Sequence, residues 1–478
     1  MGFPYHYQPI KTIYLVIVVL GVVVSILPWF LWYTPSSHRP SATWPLWFTV
    51  AVQIIRVYET VSTQTGLFSV MIKDDKPPPS NKQLEKNGNE ARVVEIPAIS
   101  DNEIRGVLKE WMEKNEVDVA PVIGYWWGER LEGGLGDHKP HPGEKVVLHF
   151  HGGAYIMGSA QPKSSFSALP RSLLSHCSKQ PFHPVRRILS IEYRLARAPP
   201  HHPKLCNSFP TQALDALSAY LYLVNIVGFH QSNIILSGDS AGGNIALCLT
   251  RYLRDLASDR PAINASSSAN LIPGAILLQS PWCDVGCTHW PDKSPYGENC
   301  SFVRNRKADI IKRGTDATPS AHGSKAFRGV TMTEEEAARN PYVSPGSLDL
   351  AWRPPSQAGE DPKANHSTSL EQEACSFGNY PRAYFSIGGK EVLYDEVILT
   401  AERIRKDCEE VQDIEAIEEG RKSEKRGSWV TVSVEPEMFH DWCLVGICCP
   451  AAERELEKMA KWISGLPREG TPQGDDRE

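Results

Sequence analysis

The sequence predicts an α/β fold with a mostly parallel central sheet, helices on both faces, and one transmembrane helix ahead of it. Three observations carry this. From about Arg92 onward, short apolar runs alternate with segments of helical period. An uncharged apolar run, Ile13 to Tyr33, stands near the N-terminus. A glycine-flanked serine, Ser240, lies between a strand pattern and a helix pattern.

The run IYLVIVVLGVVVSILPWFLWY (Ile13–Tyr33) has Ser25 as its only interior hydroxyl. A bilayer core of ~30 Å takes ~20 apolar residues in a helix, and this run has that length. Trp29, Trp32 and Tyr33 close it, where amphipathic aromatic rings suit the headgroup layer. A cleaved signal peptide has a shorter apolar core of ~7–15 residues and a small-x-small site, so the reading here is an uncleaved anchor. The stretch Trp44 to Tyr58 is interrupted by Pro45, Gln53 and Arg56, and reads as an interfacial helix or a core helix rather than a span. Asp74 to Glu90, with its proline run, reads as a polar linker and domain boundary. The expected organisation is an anchor over residues 1–40 with its helix at about 13–33, an amphipathic segment and linker over 41–90, a catalytic domain over 91–465, and a disordered tail over 466–478.

Within the domain the expected strands are Val146–Phe150, Ile188–Ile191, Ile234–Ser237, Ala275–Leu278, Ala383–Ile387 and Val430–Val434, with helices at Gln212–Val227, Gly243–Leu256 and Tyr394–Lys406. Polar insertions at Ser258–Asn270, Lys312–Arg328, Pro354–Gln372 and Glu409–Arg426 read as surface loops. A net charge of -6 argues against a nucleic-acid partner, which would need clustered Lys and Arg. The 11 cysteines are too scattered for a disulfide scaffold and lack paired zinc-ligand spacing, so buried free thiols are expected and no metal.

Gly238-Asp239-Ser240-Ala241-Gly242 is a G-x-S-x-G sequence. A serine hydroxyl attacks only when a base takes its proton, and a tight strand-to-helix turn exposes it for attack. Gly238 and Gly242 flank that turn, where side chains would collide. His151-Gly152-Gly153-Ala154 follows the strand Val146–Phe150. Backbone N–H groups of a glycine loop approach a developing oxyanion closely, so Gly152 and Gly153, with Ala241, are the expected oxyanion hole. His151 is expected to shape that loop rather than to act as a base. The base itself belongs after the last strand, and His440 is the histidine at that place. For the third member, Glu391 at the exit of Ala383–Ile387 is preferred over Asp395, which falls in the first turn of the next helix, where acids suit the helix dipole. The order Ser240, Glu391, His440 is that of an α/β-hydrolase.

These residues resemble the hormone-sensitive-lipase-like esterases, the third α/β-hydrolase group. HFHGGAYIMGS (His149–Ser159) and SGDSAGGNIA (Ser237–Ala246) match its hallmark blocks; IEYRLA (Ile191–Ala196), SPW (Ser280–Trp282) and NPYVSP (Asn340–Pro345) support them. With the anchor, the chain is similar to the steryl-acetate-hydrolase and arylacetamide-deacetylase branches. The resemblance implies hydrolysis of carboxylic esters of apolar alcohols through an acyl-enzyme, without a cofactor, at the endoplasmic reticulum membrane. Two departures stand out. Glu391-Val392 replaces the family's Asp-Pro, and Arg197-Ala198 follows YRLA where Pro and Glu are usual. The expected partners are a hydrophobic ester and the lipid bilayer. Sequons at Asn264, Asn299 and Asn365 permit a lumenal catalytic domain. Two alternatives are a non-catalytic ligand-binding protein on this fold, which would lack His440, and a carboxylesterase for soluble substrates.

Overall fold

The computed structural model describes residues 5, 7–65, 77–86, 91–128, 136, 138–198, 201–258, 271–311, 319–351, 375–418 and 428–467. Eight strands form one sheet: β1 Arg92–Ile96, β2 Val122–Gly128, β3 Lys145–Phe150, β4 Val185–Glu192, β5 Ile234–Asp239, β6 Ala275–Gln279, β7 Arg382–Gly388 and β8 Val430–Glu435, in the order β1-β2-β4-β3-β5-β6-β7-β8. From β4 to β8 neighbouring strands run parallel, while β1–β2 and β2–β4 are antiparallel. All six expected strands are present. The pair β1 and β2 was not expected, because VIGYWWG (Val122–Gly128) is interrupted by Gly124 and shows no clean alternation.

Helices cover both faces, and the period of two along each strand sorts residues between them. Val147, Ile188, Ile235, Leu277 and Tyr384 pack under α3 (Ala168–Cys177) and the C-terminal helix Cys449–Ser464, which supplies Leu456, Met459 and Ile463. Their neighbours Leu148, Leu189, Leu236, Leu278 and Phe385 point the other way. There they meet α4 (Thr211–Leu221), α5 (Ala241–Ser258) and α7 (Tyr394–Glu418) through Leu217, Ile245, Leu249 and Val397. Two expected loops are partly helical. Pro319–Arg328 forms α6, whose Ala326 and Phe327 are buried, Phe327 stacking on Tyr155 at 3.9 Å. The helix expected to stop at Lys406 runs to Glu418, carrying α7 into the region read as a loop. In α6 polar composition concealed a few inward apolar residues. The insertions at 259–270, 312–318, 352–374 and 419–427, and the tail from 468, lie outside the described residues.

At the N-terminus, α1 (Ile10–Tyr33) has no buried residue, and by length and composition it suits a membrane span or a signal sequence. Arg39 satisfies its last carbonyls, donating from Nε to Tyr33 O and from Nη2 to Thr34 O at 2.8 Å, and reaches Trp44 O from Nη1 at 2.8 Å. The second apolar segment is a longer helix than expected, α2 (Leu46–Thr65), and it has two characters. Trp44, Phe48 and Val52 are buried against Phe439, Trp442 and Ala451, whereas Trp47 and Ile54 are exposed. Residues 41–56 therefore pack onto the hydrolase-like domain, directly beside the loop that carries His440.

Candidate active site

The strand-to-helix turn between β5 and α5 puts Ser240 in the left-handed region, with φ +50°. Such a conformation for a non-glycine residue is held by its surroundings. Here Ser240 N–H donates to Gln279 O at 3.0 Å, and Trp282 N–H donates to Ser240 O at 2.9 Å. A Cβ on Gly238 would lie 2.3 Å from the Gly242 backbone, and one on Gly242 would lie 2.0 Å from Phe150 O. Both glycines are thus sterically required, as the motif suggests.

His440, on the loop after β8, places Nε2 2.9 Å from Ser240 Oγ. Its Nδ1 faces Glu391 Oε2 at 3.4 Å, longer than the usual N–H···O range. The other Glu391 oxygen accepts from Ser280 Oγ at 2.5 Å and from Gly388 N–H at 2.6 Å, which fixes the fully buried carboxylate at the exit of β7. With Nδ1–H turned to Glu391, Nε2 is left as the acceptor for the serine proton. Asp395 is elsewhere. It accepts from Ser301 N–H at 2.6 Å and pairs with Arg304 at 2.9 Å, as a helix first-turn acid does. The structure brings together Ser240, His440 and Glu391, and not Asp395.

The glycine loop needs a correction. Gly152 N–H donates to Asp239 Oδ2 at 2.8 Å, so it is spent inside the protein rather than offered to a substrate. A single-residue shift puts Gly153 and Ala154 on the cavity instead. Among the described residues, no hydrogen bond engages the N–H of Gly153, Ala154 or Ala241. Gly153 and Ala154 have φ +108° and +50°. The signal that could have found the shift is Asp239, a buried acid inside the elbow motif. His151 does shape the loop: its Nδ1 meets Gly152 O at 2.7 Å and its ring stacks on Tyr193 at 4.3 Å.

Two further acids were not anticipated. Asp441 Oδ2 lies 3.2 Å from His440 Nε2, on the serine side of the ring. Burial raises its carboxyl to about 7, with His440 opposing the rise. Burial alone would lower the imidazole, but the Asp441 and Glu391 carboxylates outweigh it and hold His440 well above the ordinary histidine value. Asp309 is fully buried and accepts from His440 N–H at 3.0 Å and Val392 N–H at 2.6 Å.

The serine opens into a cavity of about 300 Å³ lined chiefly by apolar groups, among them Met157, Phe166, Trp282, Phe302, Ile310, Leu393, Leu444 and, from α2, Ile55. As for metals, His138, His141 and Glu144 have ligand atoms within 4.8 Å of one another. The Glu144 carboxylate, however, is committed to Arg187 Nε at 2.9 Å and His141 N–H at 2.8 Å. Cysteines 177, 206, 248, 283, 287, 300, 375, 408, 443 and 448 are free, most of them buried, as expected.

A family described as having the alpha/beta hydrolase fold matches residues 147–315. The chain is 30% identical over 323 residues to Esterase LipU of Mycobacterium tuberculosis, covering 67% of this chain and 77% of that protein. It is 25% identical over 326 residues to an acetyl-hydrolase of Streptomyces hygroscopicus, covering 68% and 77%. A human protein named arylacetamide deacetylase-like 2 is 27% identical over 151 residues, covering 30% and 33%.

Proposed function

The chain belongs to the hormone-sensitive-lipase-like esterases of the α/β-hydrolase fold and is a carboxylic ester hydrolase, and from this premise we propose a membrane-anchored enzyme that uses Ser240 as its nucleophile. The observation that carries the proposal is the 2.9 Å approach of Ser240 Oγ to His440 Nε2 at the wall of an apolar cavity. Ser240 Oγ attacks the ester carbonyl carbon as its proton passes to His440 Nε2. Negative charge gathers on the carbonyl oxygen, where the N–H groups of Gly153, Ala154 and Ala241 receive it. Collapse of the tetrahedral species breaks the C–O bond, and the departing alcohol takes the proton back from His440. Water then attacks the acyl-enzyme, deprotonated by the same imidazole, and releases the acid and free Ser240. Throughout, Glu391 holds the imidazole's tautomer and stabilises its charged form. Beyond the ester and water, the groups used in these steps are side chains and N–H groups of this chain.

The substrate class follows from the cavity and the N-terminus. A volume of about 300 Å³ is at the small end of ligand pockets, which suits a short acyl group better than a long fatty chain. Ile55 gives α2 a share of the wall, and α2 follows directly on the anchor α1, so an apolar ester dissolved in the bilayer meets the cavity from that side. Steryl acetates or other lipid esters of apolar alcohols fit this description. The reading places the domain on the lumenal side of the endoplasmic reticulum as part of a single-pass protein, a placement that the exposed Asn299 in its sequon permits. The test is an acyl-length series of esters of one sterol and of one water-soluble alcohol, assayed with full-length protein in mixed micelles. Acetyl over long acyl, and sterol over soluble alcohol, is the expected order. Equal turnover of the two alcohols would remove the lipid reading while leaving the esterase intact.

A further inference from the structure

The segment Lys307-Ala308-Asp309-Ile310-Ile311 is one of the polar-flanked stretches that sequence patterns leave unassigned, yet each of its central residues has a place. Ala308 packs in the cluster formed by Phe48, Val52 and Phe439. Ile310 and Ile311 line the cavity. Between them Asp309 points inward, and its two carboxylate oxygens divide between two loops: Oδ2 takes the N–H of Val392, next to Glu391, at 2.6 Å, and Oδ1 takes the N–H of His440 itself at 3.0 Å. Behind it, the backbone carbonyl of Asp309 accepts from Arg56 Nη1 of α2.

These loops leave different strands, β7 and β8, and Glu391 must face His440 across the gap. Further from the chemistry they are tied by Lys390 N–H to Met438 O at 2.9 Å and by Gly389 N–H to Glu435 O at 2.8 Å. At the catalytic residues, Asp309 ties them backbone to backbone, alongside Ser280 Oγ, which donates to Glu391 Oε1 at 2.5 Å and accepts from Asp441 N–H at 3.3 Å. Hydrogen bonds to a charged acceptor are stronger than neutral ones, and a short side chain gripping two N–H groups leaves the loops little room to slide. We infer that Asp309 is a positioning residue that sets Glu391 against His440, and that Arg56 holds Asp309, making the helix beside the membrane anchor part of the catalytic scaffold. The inference rests on the Ser240–His440–Glu391 reading. Burial pushes the Asp309 carboxyl up to about 6, with His440 opposing the rise, so the carboxylate that grips both N–H groups is charged above that pH.

The test uses full-length protein in detergent micelles, with Asp309→Asn, Arg56→Ala and Arg56→Lys compared with wild type. A short-chain aryl ester gives kcat and KM, a fluorophosphonate gives the labelling rate of Ser240, and rates are normalised to labelled serine so that unfolded molecules do not count. Misplacing a catalytic group by about 1 Å costs ~10²-fold, the loss expected in kcat for Asp309→Asn, with the labelling rate falling in parallel. KM should stay within about twofold, because the loss is confined to the transition state. Arg56→Ala should lose about tenfold in kcat, and Arg56→Lys, which keeps a donor for the carbonyl, should recover most of it. Wild-type kcat in folded Asp309→Asn and Arg56→Ala would overturn the inference. So would losses that Arg56→Lys does not relieve. Should Asp309→Asn fail to fold, the two Arg56 variants decide by the same criteria. Absence of labelling at Ser240 in the wild type would instead overturn the triad reading, and this inference with it.

Discussion

Two N-terminal truncations separate the proposed anchor from the domain. Removing residues 1–40 takes away α1, which lies against α2 but has no buried residue of its own. Removing residues 1–74 also takes away Trp44, Phe48 and Val52, which are 2%, 4% and 0% exposed and cover Phe439, Trp442 and Ala451. Burying a side chain of this size contributes ~1.5–3 kcal/mol, so the three together contribute roughly 5–9 kcal/mol. Domain stabilities are only about 5–15 kcal/mol, so the longer truncation sacrifices most of a typical margin. It also removes the Trp44 Nε1 hydrogen bond to Glu437 O, 2.8 Å long, and the ring of Phe48 stacked on Phe439 at 6.1 Å, both adjoining His440. The assay is turnover of a short-chain aryl ester, with melting followed by circular dichroism. The 1–40 deletion should leave the membrane fraction with kcat preserved, and the 1–74 deletion should be unfolded or inactive. A soluble, cooperatively melting 1–74 deletion with wild-type kcat would refute the assignment of α2 to the domain.

Three further outcomes follow from the same geometry. Glu391→Gln should cut turnover by up to ~10⁴ with near-normal melting, as an amide offers the imidazole the wrong partner; Asp395→Asn should mainly shift melting, by the ~0.3–1 kcal/mol of a first-turn acid, and a larger rate loss from it would reverse the assignment. Asp441 raises the His440 pKa, and the base works only when neutral, above that pKa; Asp441→Asn should therefore move the acid limb of the kcat/KM profile to lower pH, and an unmoved limb would contradict the coupling. If the domain is lumenal, endoglycosidase treatment should lower the apparent mass and Asn299→Gln should remove part of that shift, whereas no shift in cells would place the domain on the other side.

The strands β3 to β8 were legible because each is a short apolar run bounded by turn residues, and the elbow because its glycines are sterically obligatory. His440 was legible from its place after the last strand. What escaped has physical reasons. Strand β2 is interrupted by Gly124, and neither β1 nor β2 shows the clean alternation of a half-buried edge. Gly152 and Gly153 are indistinguishable as letters, and only the carboxylate of Asp239, folded back onto Gly152 N–H, decides which amides remain for the substrate. Asp309 and Asp441 are single acids on loops, between Ala308 and Ile310 and between His440 and Trp442, and a lone acid there gives no local sign of burial. Their roles come from long-range partners: Asp309 lies 131 positions before His440 in the chain. Similarly, α2 carries an inward face and an exposed Trp47 and Ile54, so its pattern alone does not separate a core helix from an interfacial one.

The most direct measurement of the central claim is fluorophosphonate labelling of the full-length protein, with the modified peptide located by mass spectrometry. One adduct per chain on Ser240 is predicted, with labelling and ester turnover both lost in a Ser240→Ala variant that melts like the wild type. Labelling at another serine, or ester hydrolysis that survives Ser240→Ala, would contradict the account.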